Sequence, residues 1–278
     1  MKALATTVIL LVTISLAAAG SGRQSSAPAI CSYKIVDSFP HDPDAFTQGL
    51  VISDGELYEG TGVKGESSLR RVMLSTGVVE QIYSLPYQYF GEGVTDWGDT
   101  LIQLTWQAGT GFVYDRETFA LLGQVSYSSE GWGLTQDGDQ LIMSDGTSYL
   151  RFRDPVTFAE TGQVQVSDDQ GPVIHLNELE YICGEVWANV WKTDLIARID
   201  PDTGQVVAWI DLSGLPAGPG ADVLNGIAYD RVSNRIYVTG KYWSTLYQIE
   251  LVGCPLRCIF VDGFESGDIS RWSASSPQ

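Results

Sequence analysis

Phe46-Thr47-Gln48-Gly49-Leu50 returns as Phe90-Gly91-Glu92-Gly93-Val94. It returns more loosely as Gly131-Trp132-Gly133-Leu134, Leu176-Asn177-Glu178-Leu179-Glu180 and Leu224-Asn225-Gly226-Ile227-Ala228. With Gly49, Gly93, Gly133, Leu179 and Gly226 taken as equivalent, the steps are 44, 40, 46 and 47 residues. A period in that range marks a repeat fold, in which each unit buries its apolar face only against its neighbours. Inside a unit the turn chemistry belongs to hairpins: Ser53-Asp54-Gly55 precedes Glu56-Leu57-Tyr58, and Gln136-Asp137-Gly138 precedes Gln140-Leu141-Ile142-Met143. Asp200-Pro201-Asp202-Thr203-Gly204 then joins two further β-rich runs. Four short strands per unit, set around an axis, predict an all-β fold, a five-bladed β-propeller.

The fifth unit runs out of chain after Tyr247-Gln248-Ile249-Glu250-Leu251 and lacks an outer strand. Tyr33-Lys34-Ile35-Val36-Asp37-Ser38-Phe39, ahead of the first unit, has the composition to supply it. An N-terminal strand joining the last blade would close the ring and cover a bare sheet edge. On this reading residues 32–252 form the propeller. Residues 1–19 read as a cleavable signal peptide: Lys2, an apolar run from Ala5 to Leu16 too short for a membrane span, then Ala17-Ala18-Ala19. Residues 20–31 read as a flexible lead, and 253–278 as a tail of unassigned role. The mature protein is expected to be secreted or periplasmic, without integral membrane association.

Composition narrows the classes. At 44% hydrophobic and 18% charged, the chain is globular rather than disordered. Its net charge of −18 repels phosphate backbones and anionic surfaces, so nucleic acid is not an expected partner. Cys31, Cys183, Cys254 and Cys258 allow three full pairings in an oxidising compartment. Cys254 and Cys258 are near enough for a local loop, Cys31 with either would staple the first strand to the last, and Cys183 also fits a buried thiol. His41 and His175 are far apart in sequence, with no Cys-x-x-Cys, which leaves zinc without a ligand set. Both histidines read as isolated loop or turn residues.

Residues opening successive repeats of a propeller converge on one channel mouth. Those residues are Gln48, Glu92, Trp132, Asn177 and Asn225. A carboxylate, amides and an indole around one opening can orient a polar ligand. Glu92 is the ionisable member. It can be a turn carboxylate or a lysine partner, or, if Phe90, Trp106 and Trp132 exclude water, a proton carrier with a raised pKa. Trp106 lies 14 residues after Glu92 and Trp191 lies 14 after Asn177, matching places on their second strands. Lys241 follows the second strand of the last unit. No Gly-x-Ser-x-Gly elbow, phosphate loop or paired-histidine helix occurs.

Eight segments in register, from Phe46-Thr47-Gln48-Gly49-Leu50 through Leu104-Thr105-Trp106 and Trp187-Ala188-Asn189-Val190-Trp191 to Thr239-Gly240-Lys241-Tyr242-Trp243, resemble the plant and bacterial glutaminyl-peptide cyclotransferases. The likeness runs from about Tyr33 to Leu251. It implies an aminoacyltransferase that converts N-terminal glutaminyl residues of peptides and proteins to pyroglutamyl, with release of ammonia and without a cofactor. A structural calcium occurs in some members and has no assignable ligand set here. The resemblance implies that Glu92 is the catalytic acid/base, with Lys241 and Asn177 acting beside it. Gln48, Phe46, Phe90, Trp106, Trp132, Trp191 and Asn225 would bind substrate. The chain is expected to act as a monomer. Two rivals remain at this stage: a non-catalytic propeller binding peptides or glycans through the aromatic mouth, and a calcium-dependent lactonase-like propeller using Glu92, Asn177 and Asn225 as oxygen donors.

Overall fold

The computed structural model describes residues 27–254, 256 and 258. The signal-peptide reading and most of the tail lie outside them. Among the described residues every regular element is a strand, and no helix is long and apolar enough to cross a membrane. β1 (Ala29–Pro40) precedes an antiparallel sheet of β2 (Thr47–Ser53), β3 (Glu56–Thr61), β4 (Ser68–Met73) and β5 (Val78–Ser84). The next comprises β6 (Gly91–Trp97), β7 (Thr100–Thr105), β8 (Thr110–Asp115) and β9 (Leu121–Ser126). A third comprises β10 (Leu134–Gln136), β11 (Leu141–Ser144), β12 (Tyr149–Arg153) and β13 (Glu160–Gln165). After the ribbon β14 (Ser167–Asp168) and β15 (Gly171–Pro172) come β16 (Leu176–Ile182), β17 (Glu185–Val190), β18 (Leu195–Ile199) and β19 (Val206–Asp211). β20 (Leu224–Asp230), β21 (Arg235–Gly240) and β22 (Thr245–Val252) complete the order.

These last seven strands and β1 form one eight-stranded sheet, because β1 serves both halves. Ala29–Cys31 run parallel to Ala208–Ile210 of β19, and Ser32–Pro40 run antiparallel to β22. The spare N-terminal strand thus lies against the last hairpin. It starts inside the stretch expected to be a flexible lead, because those residues are tied by the β19 ladder and by a Cys31–Cys254 disulfide. The second disulfide is Cys183–Cys258. The local Cys254–Cys258 loop and the buried Cys183 thiol are therefore not what forms. Both bridges fasten the C-terminal segment onto the eight-stranded sheet, and they agree with an oxidising compartment.

β2 packs beside β6, β6 beside β10, β10 beside β16, β16 beside β20, and β20 again beside β2. These five strands are covered on both sides, which is why β2, β6, β16 and β20 are buried almost throughout. β5, β9 and β13 alternate between half-buried and exposed, as strands with one solvated face do. Apolar clusters fill each gap between neighbouring sheets: Val51, Tyr58 and Leu69 meet Leu101, Phe112 and Tyr114, and the circuit returns where Leu246 and Tyr237 meet Leu50 and Leu57. At the axis the backbones nearly touch. A Cβ on Gly93 would lie 2.6 Å from both Leu134 N and Trp132 O, so only glycine fits there.

The strand register revises one equivalence. Counting from Gln48, Glu92, Asn177 and Asn225, the residue in line with Gly49, Gly93 and Gly226 is Glu178, not Leu179. Glu178 is buried on the axis, where its carboxylate accepts the backbone N–H groups of Leu50 (3.2 Å) and Ile227 (2.8 Å). A side chain that crosses the axis to two other strands can stand where its counterparts need none.

Candidate active site

The ladders between first and second strands skip at one recurring place: between Thr47 and Gly49, Gly91 and Val94, Leu176 and Leu179, and Leu224 and Ile227. Such bulges re-aim the side chain they release. The first residues released are Gln48, Glu92, Asn177 and Asn225, four of the five expected at the mouth. Trp132 precedes β10 in the same way, its N–H donating to Ser144 O at 3.1 Å. At the far end of four of the second strands a backbone N–H closes the hairpin. Gly62, Trp106, Trp191 and Lys241 donate to the carbonyls of Phe46, Phe90, His175 and Val223 at 2.8, 3.0, 3.0 and 3.0 Å. One structural place therefore carries glycine, two indoles and the lysine. It must be glycine at Gly62, where a Cβ would come within 2.4 Å of the Phe90 ring.

A cavity of about 340 Å³ opens there. Phe46, Gln48, Phe90, Glu92, Trp106, Trp132, Asn177, Trp191 and Lys241 all line it, joined by Lys192, Asp222 and Val223. Asn225 does not reach the wall. It is fully buried behind Gln48, donating its amide N–H to Thr47 O at 3.0 Å and to Gln48 Oε1 at 3.4 Å. With its oxygen engaged from behind, Gln48 turns its NH2 towards Glu92. The walls are half-buried aromatics set edge to face: Phe46 on Phe90 at 5.9 Å, Phe90 on Trp106 at 5.8 Å, and Trp132 on Trp191 at 5.7 Å between centroids. Lys241 Nζ lies 4.6 Å from the Phe46 ring centre, a cation–π contact.

Glu92 is 3% exposed and Lys241 4%. Burial pushes the Glu92 carboxyl well above the usual carboxylate range. Lys241 opposes that rise, Glu130 adds to it, and the Gln48 amide opposes it. Burial likewise pushes the Lys241 ammonium down, against the pull of Glu92 and Asp222. Asn177 is buried, and its Oδ1 has no hydrogen-bond partner among the described residues. The site thus offers a carboxyl whose proton affinity burial has raised, a lysine, an unspent amide and an aromatic enclosure. Among the described residues no three His, Cys, Asp or Glu side chains gather to hold a metal ion.

Sequence reasoning missed Lys192 and Asp222, which lie on loops outside the repeated segments, Val223, which shares the repeat place of Phe46 and Phe90 without their rings, and Glu130, which stands behind the wall. His41 lies in a loop, as expected, but is not isolated. That ring is buried, with Nδ1 2.6 Å from Trp243 O and Nε2 3.0 Å from Glu59 Oε1. His175 is exposed at the rim, edge-on to Trp191 at 5.7 Å.

Three similarities bear on this arrangement. A family model described as glutamine cyclotransferase matches residues 7–251. A glutaminyl-peptide cyclotransferase of Arabidopsis thaliana is 48% identical over 226 residues, covering 78% of this chain and 71% of that one. The crystal structure of Myxococcus xanthus glutaminyl cyclase superposes with a TM-score of 0.76 at 38% identity, covering 81% of this chain and 98% of that one.

Proposed function

The chain belongs to the glutamine cyclotransferase family and has glutaminyl-peptide cyclotransferase activity, and from that premise we propose that the reaction takes place in the aromatic cavity with Glu92 as its proton carrier. The α-amine of an N-terminal glutaminyl residue attacks its own γ-carboxamide carbon. Glu92 takes the proton that the amine sheds and passes it to the departing nitrogen. The C–N bond of the amide breaks, ammonia leaves, and the five-membered lactam remains. No covalent enzyme intermediate is needed.

A proton carrier works best with a pKa near the working pH, and burial raises this carboxyl in that direction. Lys241 and Asn177 would stabilise the oxygen that gains charge as the ring closes. Phe46, Phe90, Trp106, Trp132 and Trp191 would hold the side chain folded back on its own amine, so that much of the rate gain comes from near-attack geometry. Gln48 would orient Glu92, and Asn225 acts through Gln48. The observation that carries the reading is Glu92 buried among these groups at the wall of one cavity.

The same proposal covers three coarser points. The circuit of inner strands with a core in every gap supports a five-bladed propeller closed by β1. The disulfides support export, and catalysis by Glu92 calls for no metal. The test is to incubate the purified protein with a glutaminyl dipeptide and a chelator, and to weigh the product. We expect ammonia and a peptide lighter by one ammonia, with no turnover of the N-acetylated dipeptide. A glutamyl product would make the protein an amidase, and chelator-sensitive turnover would overturn metal independence.

A further inference from the structure

The cavity wall has one gap in its aromatic sequence. Tyr242 packs edge-on to Phe46, Phe46 to Phe90 and Phe90 to Trp106, while Trp132 packs edge-on to Trp191. Between Trp106 and Trp132 the link is a carboxylate instead. Glu130 Oε2 accepts the indole N–H of Trp106 at 2.8 Å and that of Trp132 at 2.9 Å, and its Oε1 accepts Gln107 Nε2 at 3.0 Å. The repeat register explains the substitution. Phe46, Phe90, His175 and Val223 each stand two residues before Gln48, Glu92, Asn177 and Asn225, and Glu130 stands two before Trp132. In four units that place carries a ring or an apolar side chain beside the cavity. In the remaining unit it carries a charge.

We propose that Glu130 is a positioning residue for the cyclisation: it fixes both indole walls through one oxygen and sets a permanent negative charge behind them, within the field of Glu92. This rests on the reading of Glu92 given above. An indole N–H in an apolar wall must find an acceptor. A single oxygen serving two of them fixes the angle between the walls as well as each ring. Charge-assisted bonds of this kind are roughly twice as strong as neutral ones. The three N–H donors outweigh burial and keep the Glu130 carboxyl below its ordinary range, so it stays ionised across the working pH. Around Glu92, Lys241 lowers the carboxyl's proton affinity while Glu130 raises it. Tyr127 also faces Glu92 and is itself held protonated by burial, while Asp145 faces Glu130.

Two substitutions separate the effects. Glu130→Gln keeps an oxygen for both indoles once Gln107 turns its amide over, but removes the charge. Glu130→Ala removes both. With a glutaminyl dipeptide across pH, Glu130→Gln should hold KM within about twofold and shift the acid limb of kcat/KM to lower pH. Glu130→Ala should show the same shift with KM raised about tenfold, the loss expected for two positioning hydrogen bonds. An acid limb unmoved in both variants, or KM unchanged in the alanine variant, would overturn the proposal. If the alanine variant does not fold, the glutamine variant decides through its pH profile. Glu92→Gln run in parallel keeps the two readings apart. Full turnover in that variant removes the role of Glu92 on which the inference stands, whereas an inactive Glu92→Gln beside wild-type-like Glu130 variants refutes the Glu130 role alone.

Discussion

Lys241 occupies the place in its hairpin that Trp106 and Trp191 occupy in theirs. The position points into the cavity, and only here does it bring a cation. Lys241→Met should leave the wall filled while removing the charge. We expect a loss of about 10²- to 10³-fold in kcat, the usual cost of one oxyanion donor. The sign of the accompanying pH effect is fixed: without the ammonium, burial and Glu130 act on Glu92 against the Gln48 amide alone. The acid limb should therefore move to higher pH, opposite to the Glu130→Gln shift, in rate profiles measured side by side. Glu92, Gln48 and Asn177 were legible in the sequence because the bulge that exposes them recurs at a fixed offset from the repeat. Glu130 shares that offset but differs in chemistry from its counterparts, so the pattern of residue types hid it. Asn225 was legible as a member of the ring and not as a buried one, since Gln48 stands in front of it.

At the scale of elements, His41 clamps three pieces of chain that the sequence leaves far apart. It follows β1, donates to Glu59 on β3, and donates to the carbonyl of Trp243 in the turn that carries Lys241. Both ring nitrogens face acceptors, an arrangement that favours the imidazolium. Burial opposes that charge, but the Glu59 carboxylate and the Trp243 carbonyl outweigh it and raise the pKa. A raised folded-state pKa gives stability that is complete below the unfolded value of about 6.5 and fades as pH rises through the folded value. Thermal melts should therefore show Tm falling on the alkaline side of that window. His41→Gln should flatten the dependence and lower Tm by several degrees at pH 6, given roughly 2–4 °C per kcal/mol for a domain of this size. A sequence with two histidines, neither in a motif, gives no hint of such a clamp, because its two partners come from two other segments.

For the molecule as a whole, closure is what sets the site. The repeat and its spare first strand could be read before any coordinates, because a strand with no partner in its own unit must find one elsewhere. The disulfides could not, since three pairings satisfy the sequence equally and only the seat of the C-terminal segment distinguishes them. Cys31–Cys254 ties residues 223 apart in sequence. Cys31→Ala with Cys254→Ala should lower unfolding stability by about 2–5 kcal/mol in denaturant titrations. A closed circuit brings Gln48, Glu92, Asn177 and Lys241, which belong to four different sheets or half-sheets, to one cavity. Whether that convergence serves proton transfer is tested most directly by Glu92→Gln, with ammonia release and substrate binding measured on the same sample. Binding followed by tryptophan fluorescence should persist within a fewfold, while turnover falls at least about 10²-fold, the lower end of what a general acid/base supplies. Ammonia release at the wild-type rate by folded Glu92→Gln would contradict the account.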